Sequence, residues 1–384
     1  MSILFYELKK IFSKRSVIVL LAVLLIADIV KIGVSQQKSS GEKGFYDGRK
    51  RLIDEVKGEF DSERTSFVIK RKNELSKLVY ERRYSTQYNP ATYTGYEYGD
   101  YEIFREVYDE LDYAYHYSEN IRPVIEKAEK NLTLFQKGDP EYAFAEKTVK
   151  RYSERSISAY YDTAGCEEYF SYDFSTLLVL LFLLFALSPI FSEEKELGTE
   201  PLLLATPRGK REVGKYKILT AVLVSVLTGF LFFVTDFLCF NVFCGLEGFS
   251  NPLYSIPDFI YTPFRGSIFE YILISFLMKS IGYILFCFVF LLLSEKLSKS
   301  LFSLLGSAAV IIALVIYNDV SSNGVMKMFS PLSVLIPRLF FESPESMLYA
   351  KYAVIVFVLL AAAVTSLLIY GLKKRKGALR CFWD

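Results

Sequence analysis

The chain has 384 residues, 52% of them hydrophobic and 23% charged, with a formal net charge of +2. That near-neutral balance offers no electrostatic footprint for nucleic acid, and one histidine (His116) with five cysteines at no zinc or CxxC spacing leaves no room for a His-based catalytic centre or a zinc site. High apolar content beside high charge implies segregated stretches, and the fold class expected is an all-α integral membrane protein.

In chain order, Ser2–Arg15 reads as a short amphipathic helix, with Ile3, Leu4, Leu8, Ile11 and Phe12 apolar and Glu7, Lys9, Lys10 and Lys14 polar. A basic amphipathic helix of this kind lies in the plane of a membrane interface. The first span follows at Val17–Val34, close to the roughly 20 apolar residues that a crossing helix needs. Asp28, Lys31, Gln36 and Gln37 come after its start where a secretory signal would carry small residues, so this span is read as a retained anchor. Asp28 and Lys31 are expected to snorkel to the surface.

Gln36–Asp173 is too polar to span a membrane and long enough to form a domain. It holds 22 basic and 27 acidic residues, a net of −5, which leaves +7 for the rest of the chain. Over Arg49–Arg83, apolar residues at Leu52, Ile53, Val56, Phe60, Phe67, Leu75, Leu78 and Val79 recur at helical spacing with one weak turn. Asn89–Gly99 carries turn residues and is expected to connect helices. Asp139 as cap and Pro140 at the first helical position start a second helix running to about Tyr161. Between them, segment 84–119 is crowded with tyrosine, and Glu97–Glu119 carries eight acidic residues against Arg105 alone. Two readings stand: an acidic aromatic surface for a cationic or amphipathic ligand, or a helix pairing its charges with Arg64–Arg83, which holds seven basic residues against two acidic. The second is the simpler, and His116 is read as a packed surface residue.

Five further spans are expected at Phe174–Phe191, Ile218–Cys244, Ile268–Ser294, Leu301–Tyr317 and Tyr352–Leu372. Lysine and arginine near the span ends cluster on one side, at Lys9, Lys10, Lys14, Arg15, Lys195, Arg208, Lys210, Arg211, Lys215, Lys217, Lys296, Lys299, Lys373–Lys374 and beyond. The short loops on the other side are poor in such charge, with Arg265 in one and Lys327 and Arg338 in the other. The positive-inside rule then makes both termini cytoplasmic and the insertion 36–173 extracytoplasmic. Three regions are expected: residues 1–35 as interfacial helix and first span, 36–173 as an extracytoplasmic helical domain, and 174–384 as spans two to six with a cytoplasmic loop at 192–216 and a basic tail.

No phosphate-binding G-x-x-x-x-G-K-[ST] string occurs; the nearest, Leu204–Arg211, lacks the first glycine and has Arg211 where a hydroxyl should follow Lys210. No nucleophile elbow, zinc-protease helix or kinase set is present, so the chain is read as non-catalytic. The loop leaving the second span carries Glu193, Glu194, Glu196, Gly198, Thr199, Leu203, Leu204, Thr206, Pro207 and Arg208, with Lys217 beyond. Physically it is a short helix with polar and apolar faces, fit either to dock a partner or to rest at the lipid headgroups.

This E-x-E-x-G-T-x-x-x-L-L-x-T-P pattern resembles the first cytoplasmic loop of ABC transporter permeases of the type-2 exporter class, and Ser2–Arg15 resembles their interfacial elbow helix. The resemblance covers the elbow, the six spans and the loop but not the insertion. It implies a coupling helix at Glu193–Arg208 that contacts a separate ATP-binding subunit. It further implies a second permease copy or homologous permease as partner, no cofactor on this chain, ATP and magnesium on the partner subunit, and export across a plasma membrane of bacterial type. A related class with a large domain after its first span has four spans, and the two extra spans here argue against it. The alternative is a membrane-anchored ligand sensor or immunity protein acting through its extracytoplasmic domain. Within the spans, Asp236 and Lys279 lie at depths differing by roughly one helical turn, and the expectation is a buried pair that latches neighbouring helices or lines a pathway. Ser303 and Ser307, with Gly306 between them, predict close helix packing.

Overall fold

The computed structural model describes residues 3–39, 43–84, 96–206, 212–321 and 323–378. Six helices in it are long and apolar enough to cross a membrane, at Arg15–Ser35, Ala164–Glu196, Gly214–Phe243, Ile268–Lys296, Ser300–Val320 and Tyr349–Lys373. The chain is thus a helical, multi-pass membrane protein. The third, fourth and sixth candidate spans extend beyond the apolar runs, because basic residues continue the helix past the hydrocarbon. The fifth, the shortest run in the sequence, is a full 21 residues.

Helix α1 (Ile3–Phe12) turns at Ser13–Lys14 into α2 (Arg15–Ser39). The polar insertion begins with α3 (Lys43–Val56) and α4 (Ser62–Tyr84). What reads as one helix with a weak turn is broken at Lys57–Asp61, where Gly58 adopts φ +118° and Gly58–Glu59 forms a short strand β1. Few residues other than glycine tolerate that backbone region. Strand β1 pairs antiparallel with β2 (Ala159–Tyr160), so the insertion departs from pure helix at this one clip. Then follow α5 (Tyr96–Tyr115), α6 (Tyr117–Asn120), α7 (Arg122–Leu134) and α8 (Pro140–Tyr152). Pro140 opens α8 as expected, but the Asp139 carboxylate turns back to accept from the Gln136 amide (3.0 Å), and α8 stops nine residues short of Tyr161.

The insertion has its own core. Leu52, Ile53 and Val56 of α3, Val68 of α4, and Ile103, Val107 and Leu111 of α5 are buried together. Outside lipid, each such side chain contributes about 1.5–3 kcal/mol by leaving water. Where side chains of both helices are described, no ion pair joins α4 to α5, and the pairing expected of Arg82 and Arg83 lies outside the described side chains. Among the described residues the α4–α5 seam is joined by Lys72 over the Tyr108 ring (3.4 Å) and by an edge-to-face Phe67–Phe104 pair. The acids of α5 turn instead to Arg49 of α3, which holds Glu110 at 2.6 Å, Glu106 at 3.6 Å and Asp162 at 2.9 Å. His116 is half-buried, 3.1 Å from Asp112.

The second candidate span runs in three pieces, α9 (Ala164–Ser171), α10 (Phe174–Leu187) and α11 (Pro189–Glu196). Proline at 189 has no amide to donate, so the ladder breaks at Ser188. After α12 (Glu200–Ala205) come α13 (Gly214–Phe243), α14 (Ile268–Lys296), α15 (Ser300–Val320), α16 (Gly324–Met328) and α17 (Ser346–Ala378). Ser267 and Glu270 form a reciprocal capping box that starts α14. Lipid tails are as apolar as leucine, so helix association here rests on close packing and polar contacts rather than on the hydrophobic effect. Gly229 of α13 lies against the Tyr283 ring, where a Cβ would sit 2.8 Å away, and Gly282 of α14 leaves no room beside Leu335. Ser303 and Ser307 are both buried in the bundle.

Insertion and bundle are joined by a set of contacts that reach main chain. Tyr113 donates to the carbonyl of Tyr254 (2.9 Å), Tyr117 to Ile260 (3.2 Å) and Tyr152 to Tyr261 (2.7 Å). Arg155 donates to Thr262 (2.7 Å) and Arg151 to Pro263 (3.1 Å). The loop before α14 has only two single-turn 3-10 helices, Leu253–Ser255 and Pro257–Phe259, which leave carbonyls over, and a buried carbonyl needs a donor. Tyr113 and Tyr117 of the tyrosine cluster are used here as structure.

Candidate functional site

Two buried charge clusters stand out, one at each end of the bundle. The first lies at the base, where α1, α11, the start of α13 and the ends of α14 and α17 meet. The broken ladder at Pro189 leaves orphaned groups at the start of α11. Ser294 of α14 accepts from the amides of Phe191 (3.0 Å) and Ser192 (3.1 Å), and Ser303 of α15 donates to the Ser188 carbonyl (2.8 Å). Helix α11 is thereby fixed across two other helices.

Its charged residues are then fully engaged within the chain. Glu193 pairs with Lys14 at 2.6 Å and Glu194 with Lys10 at 2.8 Å. The other Glu194 oxygen pairs with Lys217 of α13, whose side chain is 1% exposed and also donates to the Ile190 carbonyl at 2.8 Å. Lys195 donates to the carbonyls of Glu295 and Leu297, at the C-terminal end of α14, while Glu196 accepts from the Ser300 amide at the first turn of α15 (2.9 Å). Adjacent residues of opposite sign thus complement the two helix ends that flank one turn. Glu7 of α1 is buried beside this network with Oε2 unpartnered. Burial raises the carboxyl of Glu7 above the usual range, against the opposing pull of Lys217 and Lys10. For Lys10, burial acts against the charge, but the hydrogen bond and charge of Glu194 prevail and raise it.

Gly198 follows α11 with φ +66°, and the Gly198 and Thr199 amides return to the carbonyls of Lys195 (3.1 Å) and Glu194 (3.0 Å). This left-handed turn reverses the chain into α12 and explains the glycine of the motif. Helix α12 has no buried residue. Leu203 and Leu204 line a cavity of about 370 Å³ shared with Ile218, Ile369 and Leu372, whereas Leu197 and Leu202 face away from the protein, 68% and 71% exposed. Thr206 closes the helix by donating to the Leu203 carbonyl (2.9 Å). Pro207 and Arg208, the last two residues of the expected site, lie outside the described residues.

The second cluster lies at the insertion end. Asp236 and Lys279 line one cavity of about 40 Å³ together with Asp173, Ser175 and Tyr283. They do not form the expected ion pair: Lys279 sits 3.6 Å from Asp173, and Asp236 meets Asp28 of α2 carboxyl to carboxyl. Asp28 does not snorkel. It is 0% exposed and accepts from Tyr172 at 2.6 Å. The depth argument set Asp236 and Lys279 roughly one helical turn apart, and both line one cavity, but it had no way to see that Asp28 stands nearer to Asp236 and Asp173 nearer to Lys279.

Sequence reasoning counted Lys10, Lys14 and Lys217 only as topogenic charge and overlooked their roles in the base network. The available signal was Lys217 itself, a cation one turn inside an otherwise apolar helix. Comparison with known protein families, curated proteins and solved structures finds no match for this chain.

Proposed function

We propose that this chain is the membrane-spanning permease subunit of an ATP-driven transporter of the ABC type-2 exporter class, energised by a separate ATP-binding subunit. The observation that carries the reading is the pair Leu197 and Leu202, two large apolar side chains held out beside a helix, α11, whose charged residues are engaged within the chain. Under this reading the glutamates of the loop set the position of α11 and α12, and the leucines make the contact. Exposed apolar side chains at the end of a bundle, on a rigid turn, mark an interaction surface. The positive-inside distribution favours a cytoplasmic base and an extracytoplasmic insertion. Helices α15 and α17 are covered by their own chain over only 11% of their apolar windows, which leaves faces for lipid and for a second permease copy. Export, and a bacterial plasma membrane as its setting, belong to the same proposal.

The test is purification of the tagged chain from its native cell in mild detergent, with bound proteins identified. An ATP-binding subunit in stoichiometric amount, lost on Leu202→Asp while thermal stability holds, supports the reading. Purification with no ATP-binding partner across several detergents refutes it and turns attention to the insertion as a ligand sensor.

A further inference from the structure

We propose that Asp28 and Asp236 hold one proton between them, making a protonatable latch that ties α2 to α13 at the insertion end of the bundle. The inference does not depend on the transport reading, because it rests on what surrounds two carboxyl groups.

Asp28 is 0% and Asp236 6% exposed, and the two side chains are within hydrogen-bonding reach of each other. Each keeps one buried oxygen without any hydrogen-bond partner, Oδ2 of Asp28 and Oδ1 of Asp236. Asp236 also lines the cavity of about 40 Å³, into which it brings its carboxyl. Two carboxylates in contact, away from water, cannot both carry charge; sharing one proton turns repulsion into a short hydrogen bond.

Among the described residues packed around the pair, no cation forms an ion pair with either carboxyl. On α10, Ser175 offers a hydroxyl to Asp236, and Asp173 at its start adds a further negative charge. Tyr172, between α9 and α10, gives its hydroxyl to Asp28. On α13, Cys239 is a thiol and brings no charge. On α14, Tyr283 carries no charge and Lys279 is the cation at this end of the helix, already 3.6 Å from Asp173, while Lys296 lies at the other end. Arg338, on the far wall of the cavity, is taken by Asp258 (2.7 Å) and Glu342. Lys31 of α2 is exposed. Three carboxyls therefore face one lysine, and two of those carboxyls face each other. The donors that remain, the hydroxyls of Tyr172 and Ser175, suit a dyad with one negative charge.

The alternative neutraliser is a sodium ion. A cavity of about 40 Å³ has space for a water molecule or two. A metal would also want several oxygen ligands, where the pair offers two unpartnered ones.

The test uses the purified full chain in lipid nanodiscs and reads protonated carboxyl groups by infrared difference spectroscopy, in the carboxylic-acid carbonyl window, with a deuterium-exchange shift to assign them. A protonated-carboxyl band at neutral pH, retained in sodium chloride as in choline chloride and lost in both Asp28→Asn and Asp236→Asn, is the expected result. The asparagine variants keep the shape of the site and a hydrogen bond across it. If the band is absent from the unaltered protein over about pH 5 to pH 9, a range in which a free carboxylate is charged, the shared proton is refuted. Persistence of the band in both variants assigns it to another carboxyl and refutes the proposal equally. Loss of the band on replacing choline by sodium makes the site a sodium site and overturns the proton.

Discussion

Replacing Lys217 by methionine keeps most of the apolar stem of the side chain and removes its charge and its hydrogen-bond donors. Glu194 would then keep Lys10 but lose its second partner, and the Ile190 carbonyl would lose its donor. Breaking a buried pair costs roughly 3–5 kcal/mol where the stranded ion has no other partner, and the remaining Lys10 contact brings the expected loss to the lower end. The orphaned carbonyl adds about 1 kcal/mol. With about 2 °C of midpoint shift per kcal/mol in a chain of this size, Lys217→Met should lower the thermal midpoint in detergent by roughly 6–8 °C. Glu194→Gln alone strands Lys217 and should also destabilise. In the double variant the carboxylate charge is gone as well as the ammonium, so the midpoint should recover by at least about 2 °C relative to Lys217→Met, a coupling of roughly 1 kcal/mol or more. The assay is differential scanning fluorimetry of the four proteins in one detergent. A single-variant shift below about 2 °C, or a double variant no more stable than Lys217→Met, would show that the pair is not an energetic unit.

Three further outcomes follow from contacts already described. Arg155→Leu removes a buried donor to the Thr262 carbonyl and should cost about 1.5–3 kcal/mol, with faster proteolysis at the insertion boundary as the readout; unchanged cleavage would refute the anchor. Gly282→Val should force α14 off Leu335, whose Cγ lies 2.9 Å from the position of the new Cβ, at a cost of about 1–3 kcal/mol measured as a lowered midpoint, whereas Gly324→Ala, with nothing around it, should be neutral. Tyr117 is buried, and burial pushes its phenol up to about 12, with Arg155 pulling the other way. The raised value means that the folded state prefers the neutral phenol. Its contribution is complete below about pH 10, where the free phenol titrates, and is lost as pH rises toward about 12. Tyr117→Phe should flatten alkaline unfolding over that window, and an unchanged pH profile would count against this account.

The spans were legible because a crossing helix imposes one requirement, apolar side chains over about 20 residues, that no tertiary contact can cancel. Leu301–Tyr317 shows the limit of that signal, since helix continues to Val320 where polarity rises. Arg49–Arg83 shows another: the hydrophobic period runs through Lys57–Asp61, and only the positive φ at Gly58 reveals the break. The base cluster was only half visible. Glu194 and Glu196 were found through a motif, yet the partner Lys10 stands 184 residues away in the chain, and a lysine near a span end reads first as a topology signal. Distance also hid Asp28 from Asp236. Depth along a helix follows from counting residues, whereas rotation about its axis, which decides neighbours, is set by the packing of glycine against tyrosine and leucine.

The joint between insertion and bundle has a consequence for how such a chain tolerates change. Five side chains of the insertion clasp the peptide backbone of residues 254–263, and a carbonyl is the same whichever residue bears it. At Tyr261, whose ring is exposed, the side chain is free to change as long as that path survives, whereas Ile256, Phe259 and Thr262 are buried and remain constrained by packing. An insertion carrying the same tyrosines and arginines at the same spacing should therefore be transplantable onto a bundle whose loop keeps this path and its buried residues, with its exposed positions changed.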